Sequence, residues 1–230
     1  VILATITTFN LINPFSAPSS NNKTEIFIMN MESEDVVGVE LEKQGYIKSM
    51  IAFDITMALK GREGKVQAGG YYLSKNMDVF QVVDNITKGP DLKWITILEG
   101  MRKEQIGEKL KEELSWSNTQ LDKWNNIYTE MRFDYKEGVY FPDTYLIPVT
   151  DDGLEIANRM IARFEEKFAP YSEKFSEKDI KWTTAIKIAS IIQREAAGSS
   201  DMPLIAGILW NRLLNGMKLD IDATVQYARG

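Results

Sequence analysis

The spacing of apolar residues changes once along this chain, near residue 100, and that change limits the folds the chain can adopt. Between residues 24 and 98, short β-type runs such as TEIFIMN and KVQAGGYYL alternate with helical segments that end at Gly45, Gly61 and Gly89. From Met101 onward, apolar residues recur almost entirely at helical spacing. The pattern therefore predicts an α+β protein, with a small α/β unit followed by a mainly helical one.

Polar residues and glycines predict where the helices begin and end. Ser33, Ser49 and Asn76 are the predicted N-caps of the first three helices, because short polar side chains accept hydrogen bonds from the free N–H groups of a helix start. One irregular segment, EGVYFPDTYLIP (residues 137–148), is predicted among the later helices. Those later helices are KEQIGEKLKEEL, NTQLDKWNNIY, DGLEIANRMIARFEEKF, KDIKWTTAIKIASIIQREA and MPLIAGILWNRLLNG.

The composition excludes several functional classes. The 230 residues include no Cys and no His, which excludes disulfides, thiol nucleophiles, Ser-His triads and the usual Cys/His zinc sites. The formal net charge is -6 and no run of Lys or Arg is long enough to follow a phosphate backbone, so we expect no nucleic-acid partner. Acid–base chemistry in this chain must therefore use carboxylates, Lys or Tyr.

The first 22 residues, VILATITTFNLINPFSAPSSNN, contain no charged side chain. About the first dozen resemble membrane sequence, whereas a complete spanning helix needs roughly 20 consecutive apolar residues. We interpret residues 1–23 as the outer end of a single-pass membrane anchor followed by a Pro/Ser/Asn-rich linker. A loop or an apolar strand is the alternative.

The predicted helix KDIKWTTAIKIASIIQREA carries a carboxylate beside its apolar stripe. Glu195 follows Ile188 by seven residues and Ile191 by four, so on a helical wheel it projects between these two rows. Burial there disfavours the ionised form, and we expect a raised pKa and a proton that can pass to a leaving group. The alternative is that Glu195 turns outward at the helix end, because Ala197 and Gly198 follow at once.

The next predicted helix, MPLIAGILWNRLLNG, has two polar side chains beside its apolar stripe. Asn211 follows Leu204 by seven residues and Arg212 follows Ile208 by four. Their hydrogen-bonding groups predict a polar pocket between the two helices, near Glu195. The alternative is that Arg212 only lays its stem along the core. The predicted stripe consists of Leu204, Ile205, Ile208 and Leu209.

These residues belong to a longer series of motifs. ASIIQREA (residues 189–196) is followed by NRL, GMKL and DATVQY, and in these motifs the chain resembles the MltG/YceG-like endolytic murein transglycosylases. Upstream, AGGYYLSKNMDVFQVVDNITKG, ILEGM and EGVYFPDTY are also similar to that family's motifs, and they occur in the same order. The resemblance covers residues 30–230.

The resemblance implies a small LysM-like α/β module in residues 24–98. It implies a mainly helical, lysozyme-like catalytic domain in residues 99–230, which we expect to be C-terminally incomplete because family members continue beyond this point. Such enzymes are anchored in the bacterial inner membrane, with the catalytic domain on the extracytoplasmic side. The implied partners are peptidoglycan glycan strands, the membrane through the N-terminal anchor, and peptidoglycan synthases. No metal and no organic cofactor is implied.

The activity implied by the resemblance is cleavage of the β-1,4 bond between N-acetylmuramic acid and N-acetylglucosamine, which leaves a 1,6-anhydromuramyl end. The family's catalytic acid, the second acid of an E-[KR]-E pattern, matches Glu195. The first acid of that pattern is Gln193 here, which can hydrogen-bond but cannot ionise, so we expect an effect on rate and not on reaction type. The implied substrate contacts are Gln193, Asn211, Arg212, Asp222, Thr224, Gln226, Tyr227, Tyr140, Phe141, Asp143 and Tyr145.

Several of these contacts have structural alternatives. Tyr140, Phe141 and Tyr145 could stack on sugar rings or could anchor their loop by packing. Asp143 could be an N-cap or turn residue. Asp222 could hydrogen-bond to another side chain of the site or form a turn.

Two other functions stay open at the level of sequence. One is a non-catalytic peptidoglycan-binding or scaffolding module, which the missing first acid favours. The other is a lysozyme-like hydrolase, which would leave reducing ends in place of anhydro ends.

Overall fold

The structure is a computed structural model that describes residues 13–30, 34–131 and 138–222 of the chain. Most of the expected anchor and the predicted cap Ser33 lie outside the described residues, as do three of the implied substrate contacts, namely Thr224, Gln226 and Tyr227. Within the described ranges, no helix combines the length and apolar character needed to cross a membrane.

The described residues form two compact units. The first comprises the described residues up to Ile95 together with Thr144–Asp151, and the second comprises those of Thr96–Asp143 and from Asp152 onward. The sheet and the first three helices belong almost entirely to the first unit. In chain order these elements are β1 (Thr24–Met29), α1 (Glu34–Lys43), α2 (Met50–Lys60), β2 (Gly69–Ser74), α3 (Val79–Thr87), β3 (Leu92–Thr96) and β4 (Thr144–Pro148).

The four strands lie in the order β1-β2-β3-β4. β1 and β2 pair antiparallel, with Thr24 opposite Ser74 and Met29 opposite Gly69. β2 and β3 are also antiparallel. The inner face of the sheet packs against the helices, and the core of this unit includes Phe27, Val37, Leu41, Phe53, Met57, Tyr71, Leu73, Val82, Val83 and Ile86.

β4 corrects the expectation that residues 137–148 are irregular throughout. The N–H of Val149 donates to the carbonyl of Asp91, and the N–H of Ile97 donates to the carbonyl of Asp143, each at 2.9 Å. Because the partners run in opposite directions, β4 lies antiparallel to β3. Pro142 and Pro148, near the two ends of this segment, made a strand hard to predict from the sequence, although an edge strand tolerates proline. The strand also brings Thr144–Asp151 into the first unit, whereas the sequence-based boundary near residue 98 left it in the second.

Among the residues that the structure describes, the helix ends of the first unit follow their predicted signals except at the start of α3. The Ser49 side chain accepts from the N–H of Ala52, and Gly61 closes α2 in the left-handed region with a φ of 60°. The prediction of Asn76 as the third cap is wrong. Asp78 caps α3, because its carboxylate accepts the N–H of Gln81 while the Gln81 side chain accepts the N–H of Asp78.

The second unit is helical. Its elements are α4 (Lys103–Leu114), α5 (Asn118–Asn126), a 3-10 turn (Tyr128–Glu130), α6 (Gly153–Glu177), α7 (Trp182–Glu195) and α8 (Met202–Leu214). Trp124 of α5 is fully buried and packs closely on α4, where a Cβ at Gly107 would come within 2.6 Å of Trp124 Cδ1. A glycine is therefore needed at this contact.

α6 runs well past its predicted end at Phe168 and includes Pro170. A proline removes one helical hydrogen bond, so the extension needs another source of stability. Ring packing supplies it: Phe168 stacks on Phe164 and on Phe175, with centroid distances of 5.5 and 5.7 Å. Trp182, the first residue of α7, packs against Phe164 at 5.8 Å, which joins the two helices.

Candidate active site

Two connecting segments of the second unit contact α7, the helix that carries Glu195. We call residues 97–102, which lead into α4, the EGM loop, and residues 138–143, which precede β4, the FPD loop. The two loops are joined by the hydrogen bond from the Ile97 N–H to the Asp143 carbonyl. This bond links the first residue of the EGM loop to the last residue of the FPD loop.

Both loops approach α7 through a glycine. Gly100 in the EGM loop has a φ of 77°, and a Cβ built there would lie 3.8 Å from Gln193 Cγ. Gly138 in the FPD loop has a φ of 75°, and its Cβ would lie 2.5 Å from Ile186 Cγ2. Ile186 and Gln193 are seven residues apart, so they share one face of α7 and are separated by about 10 Å along the helix axis. The EGM loop thus lies beside the last turn of α7, whereas the FPD loop lies about two turns earlier.

The FPD loop is also fixed to α6. Arg163 donates from Nε to the Asp143 carboxylate at 2.7 Å and from Nη1 to the Glu166 carboxylate at 2.8 Å. Hydrogen bonds to Glu166 and Asp143 raise the pKa of Arg163. Asp143 is therefore held in an ion pair. The sequence did not predict the role of Arg163 in the site. Its spacing from Glu166 suggests an ion pair within the helix, but nothing in the local sequence indicates that Arg163 also pairs with Asp143.

The aromatic residues around the FPD loop differ in exposure. Tyr140 is 6% exposed, and its ring packs against Trp124 at a centroid distance of 5.5 Å. Tyr145, in β4, is 7% exposed, whereas Phe141 is half-buried. For Tyr140 and Tyr145 this burial favours the packing alternative over stacking on sugars.

Glu195 is the last residue of α7 and is exposed, contrary to the expectation that it is buried. Ile188, on the same helical row, is only 5% exposed. The helix ends directly after Glu195, where Ala196 turns to an extended backbone and donates its N–H to the carbonyl of Ile192 at 2.9 Å. The helical row is therefore buried at Ile188 but exposed at Glu195. The alternative that Glu195 turns outward at the helix end describes the structure better.

The apolar stripe predicted for α8 is also largely exposed. Leu204 is 69% and Ile208 46% exposed, whereas Leu209 is 4% exposed. Asn211 is exposed, and half-buried Arg212 donates from Nη1 to the carbonyl of Leu219. The described residues thus do not form the closed polar pocket expected between α7 and α8. Arg212 instead holds the segment after α8 back onto the helix.

The remaining predicted contacts lie on accessible surface. Gln193 and Asp222 are both exposed. Across the three described stretches, no group of three or more acidic side chains is arranged to hold a metal ion. The structure shows an accessible carboxylate at the end of α7, the amide of Gln193 two residues earlier on the opposite side of the helix, and two loops that contact that opposite side at Gln193 and Ile186.

Comparison with known families decides where this chain belongs. The model of the YceG-like family matches residues 26–230. The chain belongs to the YceG-like family. Its YceG-like match extends over both structural units and includes α7 with Glu195 and the two loops.

Curated relatives of this YceG-like chain carry one name. The endolytic murein transglycosylase of Bacillus subtilis is 29% identical, over 96% of this chain and 67% of its own length. The endolytic murein transglycosylase of Streptococcus pneumoniae is 26% identical, over 92% of this chain and 44% of its own length. The YceG-like chain thus spans about two thirds of the first relative and less than half of the second.

A solved structure shares the fold. The crystal structure of a yceG-like protein from Listeria monocytogenes matches 92% of this chain and 77% of that one, with a TM-score of 0.57 and 22% identity. This agreement bears out the predicted mixed α+β architecture of the YceG-like chain.

Proposed function

We propose that this chain is an endolytic lytic transglycosylase that cleaves nascent peptidoglycan strands, with Glu195 as its catalytic acid. The observation that carries the proposal is the YceG-like family match over residues 26–230, together with the name shared by the Bacillus and Streptococcus relatives. The accessible position of Glu195 supports it further, because a polymeric glycan can reach a carboxylate at an open helix end.

The proposed reaction uses Glu195 twice. The protonated carboxyl first donates to the glycosidic oxygen as the bond from that oxygen to the anomeric carbon of N-acetylmuramic acid breaks. The resulting carboxylate then takes the proton of the same sugar's 6-hydroxyl, and the 6-oxygen bonds to the anomeric carbon. The products are a free 4-hydroxyl on N-acetylglucosamine and a 1,6-anhydromuramyl end, and no water is consumed. The substrate's own N-acetyl group can assist, as in glycosidases that lack a second catalytic carboxylate.

Because Glu195 is exposed in the free chain, the glycan itself must exclude water from it. A strand lying across the end of α7 would cover the carboxylate and favour its neutral form, as burial does in other acid catalysts. Gln193 and Asn211 offer amide donors and acceptors to that strand. Asp222 and the DATVQY segment, with Thr224, Gln226 and Tyr227, are further proposed contacts.

We also propose a LysM-like role for the first unit and a lysozyme-like catalytic role for the second. The run from β1 to β2, with two helices between two paired strands, supports the first assignment. The proposed membrane anchor and extracytoplasmic location rest on the uncharged sequence of residues 1–22, and peptidoglycan synthases are the proposed neighbours there.

The experiment is digestion of purified peptidoglycan with the intact protein, followed by mass spectrometry of the released muropeptides. Anhydro-ended products that disappear in Glu195→Gln are expected. Glu177→Gln is the matched control, because Glu177 is likewise an exposed glutamate at the last position of a helix, α6. Retained binding without any product would contradict the proposal and indicate a scaffolding module. Reducing ends would indicate a hydrolase.

A further inference from the structure

A buried lysine lies next to the site and has no part in the proposed chemistry. The side chain of Lys103, in the first turn of α4, is 11% exposed. A cation at a helix N-terminus opposes the helix dipole, and a buried cation needs a counter-charge. Lys103 Nζ forms an ion pair with Glu130, the last residue of the 3-10 turn, and donates to the carbonyl of Asn125 at 3.3 Å. The lysine therefore joins the start of α4 to the end of α5.

The backbone of Lys103 takes part in the same junction. Its carbonyl accepts a hydrogen bond of 2.8 Å from the indole Nε1 of Trp124. The buried hydroxyl of Thr129 donates to the carbonyl of Trp124, also at 2.8 Å. Trp124 in turn packs on Tyr140 of the FPD loop. One residue thus connects α4, α5, the 3-10 turn and, through Trp124, the FPD loop.

Lys103 is also the residue that directly follows the EGM loop. The EGM loop approaches α7 at Gln193 through Gly100, and the FPD loop approaches α7 at Ile186 through Gly138. A shift of Lys103 is therefore transmitted directly to the end of the EGM loop and, through the Trp124–Tyr140 contact, to the FPD loop. The contact at Gln193 lies in the last turn of α7, two residues before Glu195, whereas the contact at Ile186 lies about two turns earlier.

We propose that Lys103, paired with Glu130, is a positioning residue for the transglycosylase reaction, because it fixes the EGM and FPD loops against α7. This inference rests on the proposed function. The pair touches no substrate and acts through the loops. Its loss should reduce turnover more than binding, since misplacing the groups that orient a substrate affects the chemical step strongly.

The test compares Lys103→Met, Glu130→Gln and the conservative Lys103→Arg in the intact protein, assayed well below each variant's Tm. We expect the kcat for anhydro-product formation to fall about tenfold in Lys103→Met and Glu130→Gln, with a smaller change in KM. Lys103→Arg, which keeps the cation, should restore most of the kcat. If Lys103→Met does not fold, Glu130→Gln carries the test, because the Glu130 side chain is 33% exposed and tolerates a neutral replacement.

Hydrogen exchange provides a readout that does not need activity. The Ile97 amide bridges the two loops through its bond to Asp143, so we expect it to exchange faster in Lys103→Met and Glu130→Gln. Lys60→Met is the matched control, because it breaks the 2.7 Å ion pair of Lys60 with Asp84 in the first unit. The control should leave the kcat and the Ile97 exchange unchanged.

Two results would overturn the inference: a folded Lys103→Met and Glu130→Gln pair with wild-type kcat, or an equal loss of kcat in Lys60→Met. Failure of the proposed function is seen separately, as a wild-type protein that releases no anhydro-ended products.

Discussion

Arg163 of α6 donates a hydrogen bond of 2.7 Å to the carboxylate of Asp143, the last residue of the FPD loop. The backbone carbonyl of Asp143 accepts a second hydrogen bond, from the N–H of Ile97, so Asp143 is held on both sides. We predict that Arg163→Met lowers the rate of anhydro-product formation about tenfold, because the loop beside α7 loses its anchor. Steady-state kinetics on purified glycan strands provide the measurement. Lys43→Met, which removes the exposed pair of Lys43 with Glu40, is the control and should change little. An unchanged rate in Arg163→Met would show that the ion pair does not hold the loop in its working position.

The two loop glycines should differ in their tolerance of a side chain. Gly138→Ala places a Cβ 2.5 Å from Ile186 Cγ2 at a positive φ, so we expect a loss of about 2–4 kcal/mol of unfolding free energy. Gly100→Ala meets its nearest side chain at 3.8 Å and should lose about 1–2 kcal/mol from backbone strain alone. Denaturant unfolding measures both losses. Gly198→Ala has no atom within 4 Å of the new Cβ and serves as the control. Equal effects at all three positions would contradict the close approach at Gly138.

Stability should fall at high pH through Tyr71. Burial raises the pKa of Tyr71 above its usual value. The folded state therefore retains the phenol proton at a pH where the unfolded chain releases it, so this contribution to stability is complete below about pH 10 and declines above that value. Urea unfolding of the wild type and of Tyr71→Phe at pH 8 and at higher pH tests this. The wild type should lose more stability than Tyr71→Phe across the interval, and parallel losses would contradict the assignment.

Gln193 stands where the family pattern has an acid, and its Cγ lies near Gly100. We predict that Gln193→Glu, which restores the acid of the family pattern, increases the rate of strand cleavage several-fold. It should leave the product unchanged, because residues two apart project to opposite sides of a helix and the added carboxylate cannot take over the proton transfer of Glu195. Product analysis by mass spectrometry, together with initial rates, measures both properties. Gln105→Glu, on α4, is the control for added negative charge. A change from anhydro to reducing ends would mean that Gln193 governs reaction type, contrary to the expectation.

The sequence was most informative where a single residue determines local backbone geometry. Gly61 and Ser49 ended and began α2 as predicted, since a left-handed residue and a side-chain acceptor act within one turn. The prediction of Asn76 as an N-cap was wrong because Asp78, two residues later, forms a capping box with Gln81. β4 was missed because its pairing with β3 depends on residues about 50 positions away in the chain.

The candidate site shows the same division between local and distant effects. Periodicity placed Glu195 on the row of Ile188, but it could not show that the neighbouring elements leave the last turn of α7 uncovered. The burial of Tyr140 depends on Trp124, and the pairing of Asp143 depends on Arg163. Neither partner lies near its contact in sequence. Motif resemblance selected the candidate residues, whereas their surroundings depend on the fold.

Digestion of peptidoglycan in water enriched in oxygen-18 tests the central proposal most directly, because it follows the atom that closes the new sugar end. If the 6-hydroxyl attacks and Glu195 transfers the proton, wild-type and Glu177→Gln protein release anhydro ends that contain no heavy oxygen. Glu195→Gln releases no new sugar ends. Heavy oxygen in the new ends, or undiminished release by Glu195→Gln, would contradict this mechanism.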